Sequence, residues 1–311
     1  MFNIVEKRRW YFLFSAVLIT LSIAAMVASY VQYGQVLRIG IDFTGGSIFV
    51  LPFEETVTED QIREVLTGRG LEGAIVQALG APEENRWQVR TREVPAEEVG
   101  DLLDALEAEA GTIDRGELTF DTIQPAVGAE VARAAGLAVL VASAAIVIFM
   151  WFAFRRVPKA GRYGMVTVAG LGHNLVIAFG FYALMGMVAG WEVDALFLTG
   201  ILTVIGFSVE DKIVVFDRIR ENIPKYPTES YETMVNRSIL EILHRSLATQ
   251  LSAIFVLVAI ILFGGVTLRP FMSVILVGMV TETYSALLIA VPLLVMWDRY
   301  SRRKEARARP A

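Results

Sequence analysis

The chain has 311 residues, of which 55% are hydrophobic and 20% charged, and its mean hydropathy is +0.53. So much apolar surface excludes an ordinary soluble fold of this size and points to a membrane. The net charge of -5 matters less than its distribution, and the absence of Cys together with only two histidines, His173 and His244, excludes disulfides, thiol nucleophiles and a multi-histidine metal centre.

In chain order, the apolar run Trp10 to Tyr30 follows Lys7, Arg8 and Arg9. It is longer than a usual signal-peptide core and lacks a good cleavage site, so an uncleaved anchor is expected. The next segment reads Leu37 to Pro52 strand, Thr58 to Gly68 helix, Gly73 to Leu79 strand, Trp87 to Val94 strand, Ala96 to Glu109 helix and Glu117 to Ile123 strand. Thr58 with Gln61 three residues on is a capping signal, and Val99, Leu102, Leu103 and Leu106 repeat at helical spacing after Pro95. The order βαββαβ predicts a small α+β, ferredoxin-like domain over 37–125, which by itself says nothing of function.

A hydrocarbon core about 30 Å thick needs about twenty apolar helical residues. Six windows qualify, at 10–30, 134–154, 164–189, 195–216, 246–264 and 271–297, and the expected class is an α-helical polytopic membrane protein. Arg155, Arg156, Lys159 and Arg162 lie between the second and third windows, and Arg218, Arg220, Lys225, Arg237 and Arg245 between the fourth and fifth. Six more basic residues follow the sixth window. The segments Gly190 to Asp194 and Gly265 to Pro270 hold only Arg269 between them. The positive-inside rule therefore places both termini in the cytoplasm and residues 37–125 outside. The expected organisation is 1–36 for the N-terminus and first helix, 37–125 for the outside domain, 126–299 for the remaining helices and 300–311 for a basic tail, either a severed junction or, the favoured expectation, a disordered membrane-surface segment.

Ionisable residues at membrane depth are functional candidates. Glu210, Asp211 and Lys212 interrupt the fourth window, with Asp211 about 24 Å from its outer end at 1.5 Å per residue. Gly200, Val204, Ser208 and Asp211 share one helical face suited to packing against another helix around the carboxylate. Arg245 falls at a similar depth on the following helix, where an ion pair with Asp211 is reasonable. Lys212 is expected to snorkel to the headgroups. His173, near the middle of the third window, is either a helix-to-helix hydrogen-bonding group or a proton-relay member. Glu282, midway along the sixth, must be protonated, paired or beside water. Nucleotide-binding, zinc-protease and serine-hydrolase motifs are all missing, so the chain reads as no enzyme, without cofactor or metal, and any transport draws its energy from a partner or an ion gradient.

Gly40-Ile41-Asp42-Phe43-Thr44-Gly45-Gly46 after the first helix and Val214-Val215-Phe216-Asp217-Arg218-Ile219-Arg220-Glu221-Asn222 at the inner end of the fourth closely resemble two motifs of the SecF family of bacterial protein-export membrane subunits, of resistance-nodulation-division type. Asn236-Arg237-Ser238-Ile239, His244-Arg245-Ser246, Leu262-Phe263-Gly264-Gly265, Tyr284-Ser285 and Pro292-Leu293-Leu294 are similar to its last two spans. The resemblance implies a pseudo-symmetric complex with SecD beside the SecYEG channel in the bacterial cytoplasmic membrane. There, proton flow assists the late translocation of a polypeptide, in contact with lipid and without nucleic acid. It also implies that Asp211 is the transmembrane acid and Arg245 its essential basic partner. Three positions depart from the family pattern: Asn174 stands where Asp is expected, Glu210 where Asn is expected, and Glu282 where a small residue is expected. Glu210 or Glu282 is accordingly expected to share the proton with Asp211. The competing readings are a self-sufficient proton-driven exporter of small molecules and a scaffold whose buried charges only fix helix packing.

Overall fold

The computed structural model describes residues 3–71, 73–80, 84–155, 161–265 and 267–308, with side chains described as far as residue 304. Arg156, Lys159 and Arg309, which contribute to the expected orientation, lie outside the described residues.

The chain begins with helix α1 (Arg8–Tyr33). A short helix α2 (Ile41–Thr44) leads into an α+β domain of strand β1 (Gly46–Pro52), helix α3 (Glu59–Gly68), strands β2 (Ile75–Leu79) and β3 (Arg86–Thr91), helix α4 (Ala96–Glu109) and strand β4 (Thr119–Ile123). The strands form one antiparallel sheet in the order β2-β3-β1-β4, with Phe49 opposite Val89 on one side and Phe120 on the other. Alternation along β1 sends Phe49 and Leu51 to the face covered by Ile62, Val65 and Leu66 of α3 and Leu102, Leu103 and Leu106 of α4. Helix α3 opens with the expected capping box: the Gln61 N–H donates to the Thr58 hydroxyl and the Thr58 N–H to the Gln61 side chain.

The other strands end within three residues of their expected bounds, but the first is much shorter than its sequence suggests. The expected strand from Leu37 starts only at Gly46, because Gly45 and Gly46 adopt φ values of +77° and +141°. Glycine tolerates such angles, and they turn the chain out of α2 before the sheet begins. Ile39 forms only a lone parallel bridge to Val193.

The helical part comprises α5 (Pro125–Phe154), α6 (Gly161–Ala189), α7 (Ala195–Lys225), α8 (Tyr231–Phe263), α9 (Leu268–Ser285), a π-helical turn (Ala286–Ala290) and α10 (Val291–Ala308). Helix α5 starts nine residues before the apolar window, with Pro125 at its first position, where a missing N–H costs nothing. Helices α7 and α8 likewise run past their apolar windows, since charged residues of good helix propensity end the hydrophobic pattern without ending the helix. The wide turn at Ala286–Ala290 precedes Pro292, which cannot donate to the preceding turn. As far as Ala308, the tail expected to be disordered after Tyr300 continues α10 instead; Arg, Lys, Glu and Ala favour helix, and Arg302 pairs with Asp298 one turn earlier.

Among the described residues, five helical stretches are long and apolar enough to cross a membrane: α1, α5, α6, α8 and the continuous α9 to α10 segment. The molecule is a polytopic membrane protein. Helix α7 has the length but is interrupted by Glu210, Asp211, Lys212, Asp217 and Arg218.

Small residues set the helix contacts. Ser15, Ser22 and Ser29 of α1 are buried at seven-residue intervals, and Ser22 lies against Gly180 of α6. Val204 of α7 packs over Gly278 of α9, while Val274 of α9 packs over Gly200 of α7, where an added Cβ would stand 2.6 Å from its methyl group. Each helix thus offers the other a small residue and a branched one.

Candidate proton site in the helical bundle

Two apolar clusters fill the bundle. One is built around Val209, Phe216, Ile239 and Leu294, and the other around Leu171, Ile201, Ile205, Val274 and Met279. Around Asp211 and Lys212 of α7, buried polar residues form two groups.

The first group surrounds Asp211, which is 5% exposed. Its Oδ1 accepts from the Ser246 hydroxyl at 2.7 Å and its Oδ2 from the Gln250 side-chain amide at 3.1 Å. Both donors lie one turn apart on α8, and both are neutral. The expected Asp211–Arg245 ion pair is not formed. Arg245 is exposed one residue before Ser246, and its helical angle carries it away from the buried face to a shallow pocket with Asp217, Arg218 and Glu241.

The second group lies against α6 and α9. Lys212 and Glu282 are both 0% exposed, and the Lys212 ammonium donates to Glu282 Oε2 at 2.6 Å and to the Ser208 carbonyl at 2.6 Å. Lys212 does not snorkel: Gly170 of α6 leaves room for its stem, and an added Cβ there would stand 2.5 Å from Lys212 Cε. The Asn174 amide donates to Glu282 Oε2 at 2.5 Å and to the Ser208 hydroxyl at 3.0 Å, and Asn174 Oδ1 accepts from Ser285 at 2.9 Å. That oxygen also stands 3.0 Å from His173 Nδ1, which makes Nδ1 the protonated nitrogen. His173 Nε2 then accepts from Ser15 at 2.5 Å and Tyr284 at 3.0 Å, joining α1, α6 and α9.

Helix α7 thus turns two adjacent charges to different neighbours, and the single face expected to carry Gly200, Val204, Ser208 and Asp211 divides. Its small residues meet α6 and α9, while Asp211 meets α8. Glu210 is exposed and turned away from both groups. Among the described residues of these two groups, two buried oxygens have no hydrogen-bond partner, Gln250 Oε1 and Glu282 Oε1.

The glycine motif joins the domain to the bundle. Asp42 accepts the Ala195 N–H at 2.8 Å and Asp194 the Phe197 N–H at 2.7 Å, so two carboxylates meet the start of α7. Burial pushes the Asp194 carboxyl above its usual range, opposed by that hydrogen bond. The Thr44 hydroxyl donates to the Gly40 carbonyl, and Phe43 packs against the second apolar cluster. A Cβ on Gly45 would lie 2.6 Å from Pro125 Cα and one on Gly46 2.5 Å from the Thr91 carbonyl oxygen, so the backbones approach too closely for any side chain. At the opposite end of α7, Asp217 pairs with Arg220, and Arg218 with Glu221 and Glu241, fastening α7 to α8.

Sequence reasoning passed over Ser246, Gln250, Ser15 and Tyr284 as partners. Ser246 and Gln250 at four-residue spacing in an apolar run were the available signal. It also passed over Glu192, which accepts from Arg90 of β3 at 2.7 Å and lies 3.6 Å from Arg38.

The family model for the protein export membrane protein SecD/SecF C-terminal region matches residues 104–300, and that for the SecD/SecF GG motif matches residues 35–57. The chain is 39% identical to the protein translocase subunit SecF of Thermobaculum terrenum, over 88% of this chain and 90% of that one. It is 37% identical to that of Anaerolinea thermophila, over 96% and 94%. Among solved structures, the crystal structure of SecDF, a translocon-associated membrane protein from Thermus thermophilus, superposes with a TM-score of 0.80 at 28% identity, covering 96% of this chain and 39% of that one. Motifs, helical order and relatives agree, and the chain belongs to the SecF family of protein translocase subunits.

Proposed function

We propose that the chain is an accessory subunit of the Sec translocase that, together with SecD, uses the proton-motive force to assist the late translocation of polypeptides beside SecYEG. In this reading it crosses the cytoplasmic membrane six times with both termini inside, and the ferredoxin-like α+β domain stands outside. The observation that carries the proton role is Asp211: a carboxylate inside the bundle met by two neutral donors and, among the described residues, by no Lys, Arg or His. A carboxylate so placed can take up a proton without breaking an ion pair.

The geometry supplies a mechanical consequence. As a carboxylate, Asp211 accepts from Ser246 and Gln250; once Oδ2 carries a proton, it becomes a donor facing the Gln250 amide. Turning that amide brings Gln250 Oε1, otherwise unpartnered, round to accept. Each proton therefore reverses one hydrogen bond between α7 and α8 and biases their packing. A proton crossing 100 mV supplies about 2.3 kcal/mol, enough for a modest bias. Arg245, exposed on the rim of α8, is free to meet a partner subunit's charge.

The test is proton-driven export in vesicles containing SecD, SecYEG and the Asp211→Asn variant. The expected result is at least about a tenfold loss with co-purification of the partners unchanged, matching one lost proton-transfer group. Full export by the variant would refute the proton role.

A further inference from the structure

The bundle holds a second buried carboxylate beside Asp211. Glu282 is wholly buried, and its Oε2 collects the Lys212 ammonium, the Asn174 amide and, more distantly, the Ser285 hydroxyl. Lys212 is equally buried, and its remaining bond goes to the Ser208 carbonyl of its own helix. The donors gather on one oxygen of the pair's carboxylate, while Glu282 Oε1 has no partner among the described residues. Gly170 clears the path of the lysine stem, and Asn174 is fixed so that its amide faces Glu282 while its oxygen is held by Ser285 and His173. Three helices, α6, α7 and α9, converge on one charge pair.

A buried ion pair of this kind differs from the Asp211 site in one decisive respect. Adding a proton to Asp211 leaves no charge without a partner, whereas adding one to Glu282 strands the Lys212 ammonium in an apolar interior. A stranded buried charge is far more costly than a missing hydrogen bond. We propose that Lys212 is a positioning residue that holds Glu282 as a permanent carboxylate, so that Glu282 ties α6, α7 and α9 together without cycling and the proton exchange is confined to Asp211. This rests on the reading of Asp211 as the proton carrier. The charged and titratable groups about Glu282 fit it: Lys212 and Asp211 come from α7, His173 from α6 and Tyr284 from α9, and Lys212 is the one in direct contact. The arrangement also assigns Lys212, four residues before Phe216 in the chain, a task no surface-seeking lysine performs.

Infrared difference spectroscopy of the full chain with SecD in membranes at neutral pH tests this, because a protonated carboxyl has a carbonyl stretch that a carboxylate lacks. The difference between wild type and Glu282→Gln is expected to contain no protonated-carboxyl band. Lys212→Met is expected to gain such a band, amounting to one carboxyl per chain and absent from the Lys212→Met, Glu282→Gln double variant, while Lys212→Arg gains none. A band lost on going from wild type to Glu282→Gln would overturn the proposal, and so would a Lys212→Met spectrum without a new band. Should a single variant fail to accumulate, the double variant leaves no unpaired charge and serves as the reference for wild type, where the same absence is expected and a band again overturns the proposal. The outcome is separable from that of the export assay: full export by Asp211→Asn removes the proton role of Asp211 without altering any Glu282 band.

Discussion

At Gly170 the absence of a side chain decides what Lys212 can be. A lysine near the end of an apolar run ordinarily stretches to the headgroups, since its ammonium is better solvated there. Here its stem lies along α6 because Gly170 presents bare backbone, and its ammonium finds Glu282. We expect Gly170→Ala, which would set a Cβ 2.5 Å from Lys212 Cε, to lower stability by about 1–3 kcal/mol. Thermal unfolding in detergent measures it, and unchanged unfolding would show that the lysine stem moves aside freely. None of this was legible in the sequence. The buried acids Asp211 and Glu282 were, because a charge inside an apolar run stands out; their partners were not, because the direction a side chain takes around a helix depends on which neighbours pack there. Arg245 illustrates the limit: its neighbour in the chain meets Asp211, and one residue of helical rotation gives the contact to Ser246.

At the scale of elements, local chemistry carried further. Helix α4 runs from Ala96 to Glu109 as its periodicity predicts, and α3 begins where Thr58 and Gln61 mark it. Where the reading erred, a non-local or conformational cause overrode hydropathy. The strand expected from Leu37 is interrupted by the glycine turn; the apolar windows marked only spans, and α7 and α8 run on beyond them because polarity and helicity are separate properties. The α3 cap gives a prediction at this scale. Thr58→Ala removes the acceptor for the Gln61 N–H, and we expect it to destabilise α3 by about 1 kcal/mol. Amide hydrogen exchange should show roughly fivefold faster exchange in the first turn of α3, from the same energy. Faster exchange spread evenly over the sheet would mean instead that the cap supports the whole domain.

On the scale of the whole molecule, the α+β domain is fastened to the bundle through Glu192 as well as through the glycine motif. This carboxylate, in the connection between α6 and α7, holds Arg90 of the sheet and lies near Arg38 of the segment leaving α1, while Gln77 donates to the Ala189 carbonyl. Glu192→Gln leaves the Arg90 guanidinium half-buried without its counter-charge, so we expect the domain to loosen. Thiols placed at 77 and 189 in this cysteine-free chain should cross-link with a short reagent in about half the yield or less when Glu192 is Gln, for a loss near the 1.5–3 kcal/mol range of a charged hydrogen bond. Equal yields would locate the attachment elsewhere. The remaining prediction concerns the direction of α7, on which the six-crossing arrangement depends. This helix is 31 residues long, about 46 Å at 1.5 Å per residue, more than the hydrocarbon thickness, yet its charges exclude it from the five helical stretches that hydropathy alone identifies. In the proposed arrangement it crosses because neighbouring helices supply what lipid cannot: Ser246 and Gln250 for Asp211, and Glu282 for Lys212. Its two ends must then lie on opposite sides. Single cysteines at Ala195 and Lys225, both exposed, report this with a membrane-impermeant maleimide. Ala195→Cys should react in intact cells with a permeable outer envelope, and Lys225→Cys only after the membrane is opened. Labelling of both from one side would mean that α7 re-enters instead of crossing, and the orientation drawn from the basic connections would fail with it.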